Sequence, residues 1–204
     1  MKLAVFASGS GSNFQAIADA IQENRLEAEI SLVVCDKPEA SVISKAEALN
    51  IPVFAFHPKS YENKAAFEID IISKLEENKV DLIVLAGYMR LIGSTLLEAY
   101  HDRIINIHPS LLPAFPGKDA IGQAWESGVK VTGVTVHYVD EGMDSGPIIA
   151  QEAVYVKETD SLSSLTKAIQ SIEHRIYPDT IQWLNNKRIS QGGQTKNEHQ
   201  TSVN

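Results

Sequence analysis

The sequence predicts an α/β fold: a mostly parallel sheet with helices on both faces, and antiparallel strands in the C-terminal part. Three observations carry this expectation. Short apolar runs alternate with amphipathic segments through the first half of the 204 residues. Those runs are apolar almost throughout, as strands covered on both faces are. After residue 130 the pattern changes to two longer runs joined by a loop rich in turn residues, which reads as two strands pairing antiparallel.

Taken in order, residues 3–7 form a first strand, and Phe14, Ile17, Ala18 and Ile21 recur at helical spacing behind it. Residues 30–35 are a second strand. Val42, Ala46 and Leu49 fit a helix that ends before Pro52, and residues 53–56 are a third strand. A long helix is expected over 61–78, with Phe67, Ile71, Ile72 and Leu75 inward. A strand over 81–86, a short helix over 95–100 and a strand over 103–107 close the series. A helix over 120–126 precedes strands at 131–139 and 146–156, joined by Asp140-Glu141-Gly142-Met143-Asp144-Ser145. The last helix is expected over 162–183, interrupted or tilted at Pro178. Residues 1–188 are expected to form a single domain. The polar tail over 189–204 lacks apolar periodicity and is expected to be disordered.

Composition narrows the function classes. Hydrophobic residues make up 44% and charged residues 22%, as in a soluble globular protein. The net charge of -8, from 18 basic and 26 acidic residues, argues against a protein that neutralises nucleic-acid phosphate, while leaving room for a local phosphate site. Cys35 is the single cysteine, which excludes an internal disulfide and a multi-thiolate metal site; it reads as a small buried residue at a strand end. The chain enters its first strand without an apolar stretch of signal length. No apolar run approaches the ~20 residues of a membrane span. A cytoplasmic location, with neither membrane nor nucleic acid as partner, is therefore expected. The histidines show no metal spacing, so no metal is expected.

Four groups of residues could carry chemistry. Asn106 and His108 lie two apart near a strand end, followed by Pro109, Ser110 and Pro113. In a strand that spacing puts both side chains on one face. An amide donor beside a group that exchanges a proton near neutral pH could hold and polarise a carbonyl. The loop Ala7-Ser8-Gly9-Ser10-Gly11-Ser12-Asn13 opens the first helix and suits a phosphate, but it reads equally as a turn capped by Ser12 or Asn13. It is neither a Walker loop nor a dinucleotide fingerprint, because Phe14 stands at the third glycine position. Asp144 could support His108 or be a solvated turn residue, and His137, inside an alternating strand, reads as structural. Met89, Arg90, Leu91 and Ile92 could sandwich a flat ring or begin a helix.

Three motifs in order then give a resemblance: ASGSGSNFQAI, LAGYMRLI with INIHPSLLPAFPG, and GVTVHYVDEGMDSGPII. Over residues 1–188 the chain resembles the phosphoribosylglycinamide formyltransferase family, folate-dependent enzymes of purine synthesis. The resemblance implies a Rossmann-like fold. It implies transfer of the formyl group of 10-formyltetrahydrofolate to the amine of glycinamide ribonucleotide. Asn106, His108 and Asp144 would be the catalytic triplet. Gly11, Ser12 and Asn13 would hold the substrate phosphate, with Gln170 and Glu173 facing the ribonucleotide. Met89, Arg90, Leu91 and Ile92 would line the folate pocket, Asn106 would reach the bound folate, and Asp140, Glu141, Gly142, Met143 and Asp144 would close over the pterin ring. Lys64 stands where the family often has arginine, a contact to the folate glutamate tail that loses the bidentate fork. Asp119 stands where many relatives carry histidine and receives no role. Methionyl-tRNA formyltransferase and formyltetrahydrofolate deformylase share the triplet. The first normally carries an added C-terminal domain and the second an N-terminal one, so both are less expected here. A non-catalytic nucleotide-binding module would use the glycine loop but gives no reason for the triplet. The assembly expected is a monomer or a homodimer.

Overall fold

The computed structural model describes residues 1–197. Seven strands form one sheet: β1 (Lys2–Ala7), β2 (Glu29–Cys35), β3 (Val53–Ala55), β4 (Leu82–Leu85), β5 (Ile104–His108), β6 (Val131–Tyr138) and β7 (Ile148–Tyr155). The helices are α1 (Ser12–Gln22), α2 (Ser41–Ala48), α3 (Lys64–Glu77), α4 (Ser94–Ala99), α5 (Ala120–Glu126) and α6 (Leu162–Asn197). The strand order is β3-β2-β1-β4-β5-β6-β7. The first five strands pair in parallel, β6 runs antiparallel to β5, and β7 runs antiparallel to β6.

This order positions the site. The chain steps outward from β1 to β3, then crosses back to lay β4 on the other side of β1. Connections therefore leave β1 and β4 in opposite directions, which opens a crevice above their carboxyl ends. The strand ends at Ala7, Gly87 and His108 lie along one edge: β1 pairs with β4 and β4 with β5, and the Ser8 N–H donates to the Gly87 carbonyl at 3.1 Å.

Alternation along the strands splits the core in two. Leu3, Val5 and Ala7 pack on one face with Phe14, Ile17 and Tyr177. Ala4 and Phe6 pack on the other with Phe67, Ile71 and Leu96. The long helix starts at Lys64 rather than 61, because the Asn63 side chain accepts from the Ala66 N–H at 3.0 Å and caps it. A short 3-10 turn, Pro58–Ser60, occupies the approach.

Of the two outcomes expected at Pro178, interruption does not occur: α6 runs on through it. An interior proline costs about 3 kcal/mol. Burial of Ile176, Tyr177, Ile181 and Leu184 around it offsets that cost. The helix also extends past residue 188 to Asn197, since each added residue gains a hydrogen bond without a new nucleus. Residues 198–204 of the expected tail lie outside the described residues.

Tyr177 fastens this helix to the sheet. Its ring is fully buried, and its hydroxyl donates to the Leu85 carbonyl at 2.9 Å and lies 3.2 Å from that of Ile105. Tyr177→Phe should therefore lower unfolding free energy by about 1 kcal/mol. Tyr177→Ala should cost about 3–5 kcal/mol. Urea titration measures both, and equal losses would contradict separate hydroxyl and packing contributions.

Candidate active site

The glycine loop lies between β1 and α1. Gly11 has φ of 69° and caps α1 without any side-chain hydrogen bond to the first turn. A Cβ at Gly11 would lie 2.7 Å from Val42 Cγ2, so both conformation and space require glycine. Ser12 and Asn13 thus enter the first turn without capping it, which leaves its N–H groups and dipole available to an anion. Asn13 is buried and its Oδ1 has no hydrogen-bond partner among the described residues.

At the end of β5, Asn106 and His108 share one face, as their spacing predicts. Asp144 reaches both. Its Oδ1 lies 3.4 Å from Asn106 Nδ2, and its Oδ2 lies 3.4 Å from His108 Nδ1. Oδ2 also accepts the Gly117 N–H at 2.8 Å. Asp144 is therefore no solvated turn residue; its side chain is 13% exposed. Burial alone would raise its carboxyl, but contact with His137, the Gly117 N–H and the charge of His108 outweigh burial and hold it below the usual carboxylate value.

His108 is less open than the sequence suggests. Its Nε2 lies 2.8 Å from the Phe115 carbonyl, so both ring nitrogens face acceptors. A neutral ring has one N–H and satisfies one acceptor; the imidazolium satisfies both. Phe115, Asp119 and Asp144 all hold left-handed backbone, with φ of 53°, 56° and 55°. Non-glycine residues pay on the order of 1 kcal/mol or more for that conformation.

His137 belongs to this group, although its place in an alternating strand reads as structural. It pairs with Asn106 across the β5–β6 ladder. Its Nδ1 lies 2.8 Å from the Tyr138 carbonyl, which can only accept, so Nδ1 carries a proton. In the neutral ring Nε2 then accepts from Asn106 Nδ2 at 3.2 Å. The usable signal was cross-strand register, because residues opposite each other on paired strands touch.

Beside β4 the segment after Gly87 exposes unusually apolar side chains: Met89 is 66% and Leu91 55% exposed, whereas Ile92 is buried. Met143, 55% exposed, projects from the loop over Gly117. Asp140 shapes that loop by accepting from the Gly142 N–H at 3.0 Å and from Ser145 Oγ at 2.7 Å. Glu141 is exposed. Lys64 Cε lies against Gly93, next to the Met89–Ile92 segment. On α6, Glu173 is buried, while Gln170 is exposed. No cluster of three or more His, Cys, Asp or Glu among the described residues could hold a metal ion. Among those residues, no helix is long and apolar enough to cross a membrane.

Residues 1–181 match the family model described as formyl transferase. The chain belongs to the formyl transferase family. This formyl transferase is 62% identical to phosphoribosylglycinamide formyltransferase of Bacillus subtilis, over 90% of this chain and 94% of that protein. It is 40% identical to the human trifunctional purine biosynthetic protein adenosine-3, covering 94% of this chain but 19% of the human one. The crystal structure of phosphoribosylglycinamide formyltransferase from Bacillus halodurans superposes with a TM-score of 0.88 and 55% identity, over 90% and 95% of the two chains. The mostly parallel sheet and antiparallel C-terminal strands expected from the sequence agree with that fold.

Glu173 gives a prediction. Burial, opposed by the Asn13 hydrogen bond, pushes its carboxyl up to about 7 from 4.5. Between these values the folded protein holds a proton that the unfolded chain has lost, so stability falls as pH rises through that window. The loss amounts to about 3 kcal/mol. Glu173→Gln should flatten the stability profile across this window in urea titrations; an unchanged slope would contradict a protonated Glu173. Asp144 gives the opposite sign. Its stabilising contribution is present above 3.8 and lost as pH falls through its lowered folded value, so Asp144→Asn should flatten the acid limb alone.

Proposed function

We propose that this formyl transferase moves the formyl group of 10-formyltetrahydrofolate to the amine of 5'-phosphoribosylglycinamide, yielding the N-formyl product and tetrahydrofolate in purine (IMP) synthesis. The observation that carries this reading is the meeting of Asn106, His108 and Asp144 at the sheet edge. Along the same edge of the sheet, the apolar ledge follows the neighbouring strand β4 and the anion-suited helix start follows β1 beyond it. The name of the Bacillus subtilis relative supports the choice of acceptor.

The geometry suits the chemistry. The acceptor amine attacks the formyl carbon, a C–N bond forms, and negative charge collects on the formyl oxygen. Asn106 offers two N–H groups at 3.2 and 3.4 Å from their present partners, long enough for one to turn to that oxygen. His108 Nε2–H exchanges the Phe115 carbonyl for the same oxygen, and Asp144 keeps the ring oriented through Nδ1. Proton transfer from the amine, through water, to the folate nitrogen then breaks the old C–N bond.

The flanking residues complete the reading. Gly11, Ser12 and Asn13 receive the phosphate, and Glu173 with Gln170 the ribose side. Met89, Arg90, Leu91 and Ile92 form one wall for the pterin ring. The loop Asp140, Glu141, Gly142, Met143 and Asp144 forms the other, and Lys64 meets the glutamate tail. The pterin ring fits a ledge whose methionine and leucine side chains otherwise face solvent. The donor acts as a cosubstrate, and no metal is required by this route.

The test is incubation with 10-formyltetrahydrofolate, with and without glycinamide ribonucleotide. Formyl loss that depends on the ribonucleotide is expected. Loss without it points to a deformylase, and ligand binding without turnover points to a nucleotide-binding module. Asn106→Ala and His108→Ala should each lower kcat by roughly 100-fold or more, the usual loss for one oxyanion donor. Near wild-type kcat in both variants would remove the oxyanion assignment.

A further inference from the structure

Asp36 lies outside the residues discussed so far, yet it joins the two halves of the crevice. It follows β2 directly, and its side chain is 3% exposed. One carboxylate oxygen, Oδ1, accepts the Ser8 hydroxyl at 2.5 Å. The other, Oδ2, accepts Arg90 Nε–H at 2.8 Å. Ser8, itself buried, in turn accepts the Met89 N–H at 2.9 Å. Ser8 is the residue from which the 9–13 loop springs, and Met89 and Arg90 begin the apolar ledge. A single buried carboxylate therefore holds the root of one subsite and the first two residues of the other.

Tyr88, edge-on to Phe6, and buried Ile92 anchor this segment to the core, which leaves Met89, Arg90 and Leu91 between them to polar contacts. Residues 86–93 contain neither helix nor strand, and Met89, Arg90 and Leu91 are exposed. Gly87 has φ of 79°, so the chain turns sharply just before them. A segment of this kind samples many conformations unless polar contacts fix it. A charge-assisted bond to a guanidinium, with a second bond through the serine hydroxyl, supplies that fixation. The Glu68 carboxylate does the same at the far end, accepting the Gly93 N–H at 2.6 Å.

We infer that Asp36 is a positioning residue for the formyl donor: through Ser8 and Arg90 it fixes the 89–91 ledge relative to the glycine loop, without touching the reacting atoms. This rests on the assignment of that ledge to the folate. Its effect should fall on donor binding rather than on the chemical step.

The test compares Asp36→Asn, Arg90→Gln and the double variant with wild type, using KM for 10-formyltetrahydrofolate, KM for glycinamide ribonucleotide, and kcat. Asp36→Asn should raise the donor KM roughly five- to tenfold, the weight of one partly exposed charge-assisted bond. kcat and the ribonucleotide KM should stay within about twofold by the same reasoning. The double variant should be no worse than the worse single variant, since both changes remove one contact. Exchange of the Met89 amide proton should quicken in Asp36→Asn, a signal that general loss of stability would not confine to that residue. An unchanged donor KM overturns the inference, as does a joint fall in kcat and rise in both KM values with lowered Tm. If wild type transfers no formyl group, the functional assignment fails and this inference falls with it. If wild type turns over and Asp36→Asn matches it, this inference alone fails.

Discussion

The site depends on a carboxylate held charged in a place with little water. Asp144 is reached from three directions: by a backbone N–H from Gly117, by the amide of Asn106 and by the rings of His108 and His137. Each contact answers part of the cost of burying a charge. Those contacts also specify everything near them. The 113–119 segment is placed by the bond to Gly117, the His108 ring is turned by Oδ2, and the Asn106 amide is drawn toward Oδ1. Removing the charge would leave polar groups converging on nothing, which is why the arrangement behaves as one unit.

The sheet supplies the frame for that convergence. β5 is the last parallel strand, and β6 returns beside it in the opposite sense. The antiparallel register sets His137 against Asn106, and although β6 ends beside Ile105, the loop after it turns back so that Asp144 meets Asn106 and His108. The antiparallel pair is part of the site's construction, because its register places His137 directly against Asn106.

Much of this was legible in the sequence, for identifiable reasons. Period-two spacing put Asn106 and His108 on one face, and near-continuous apolar strands implied a parallel sheet with its working edge at the carboxyl ends. Local signals failed where partners were distant. Pro178 carries a strong helix-breaking preference, but burial of Tyr177 and Ile181 beside it outweighs that preference. His137 looked like one more alternating strand residue, because its register against β5 is not written in its neighbours. The Phe115 carbonyl against His108 could not be foreseen, since it follows from a loop path rather than from a residue type. Motif resemblance supplied what spacing could not, namely that Asp144 meets the other two; the geometry bears out that meeting at 3.4 Å on each side.

The left-handed backbone at Phe115, Asp119 and Asp144 bears on how this chain would respond to selection in the laboratory. Glycine is the residue best suited to such positions, so a screen for thermal resistance alone would be drawn toward it at all three. At Asp119, which makes no capping bond, the exchange would spare the crevice. At Asp144 the same exchange would relax the chain while deleting the carboxylate on which the site is organised. Robustness and performance thus pull in different directions within a stretch of about thirty residues. A library meant to harden this protein would have to hold position 144 fixed and spend its diversity elsewhere.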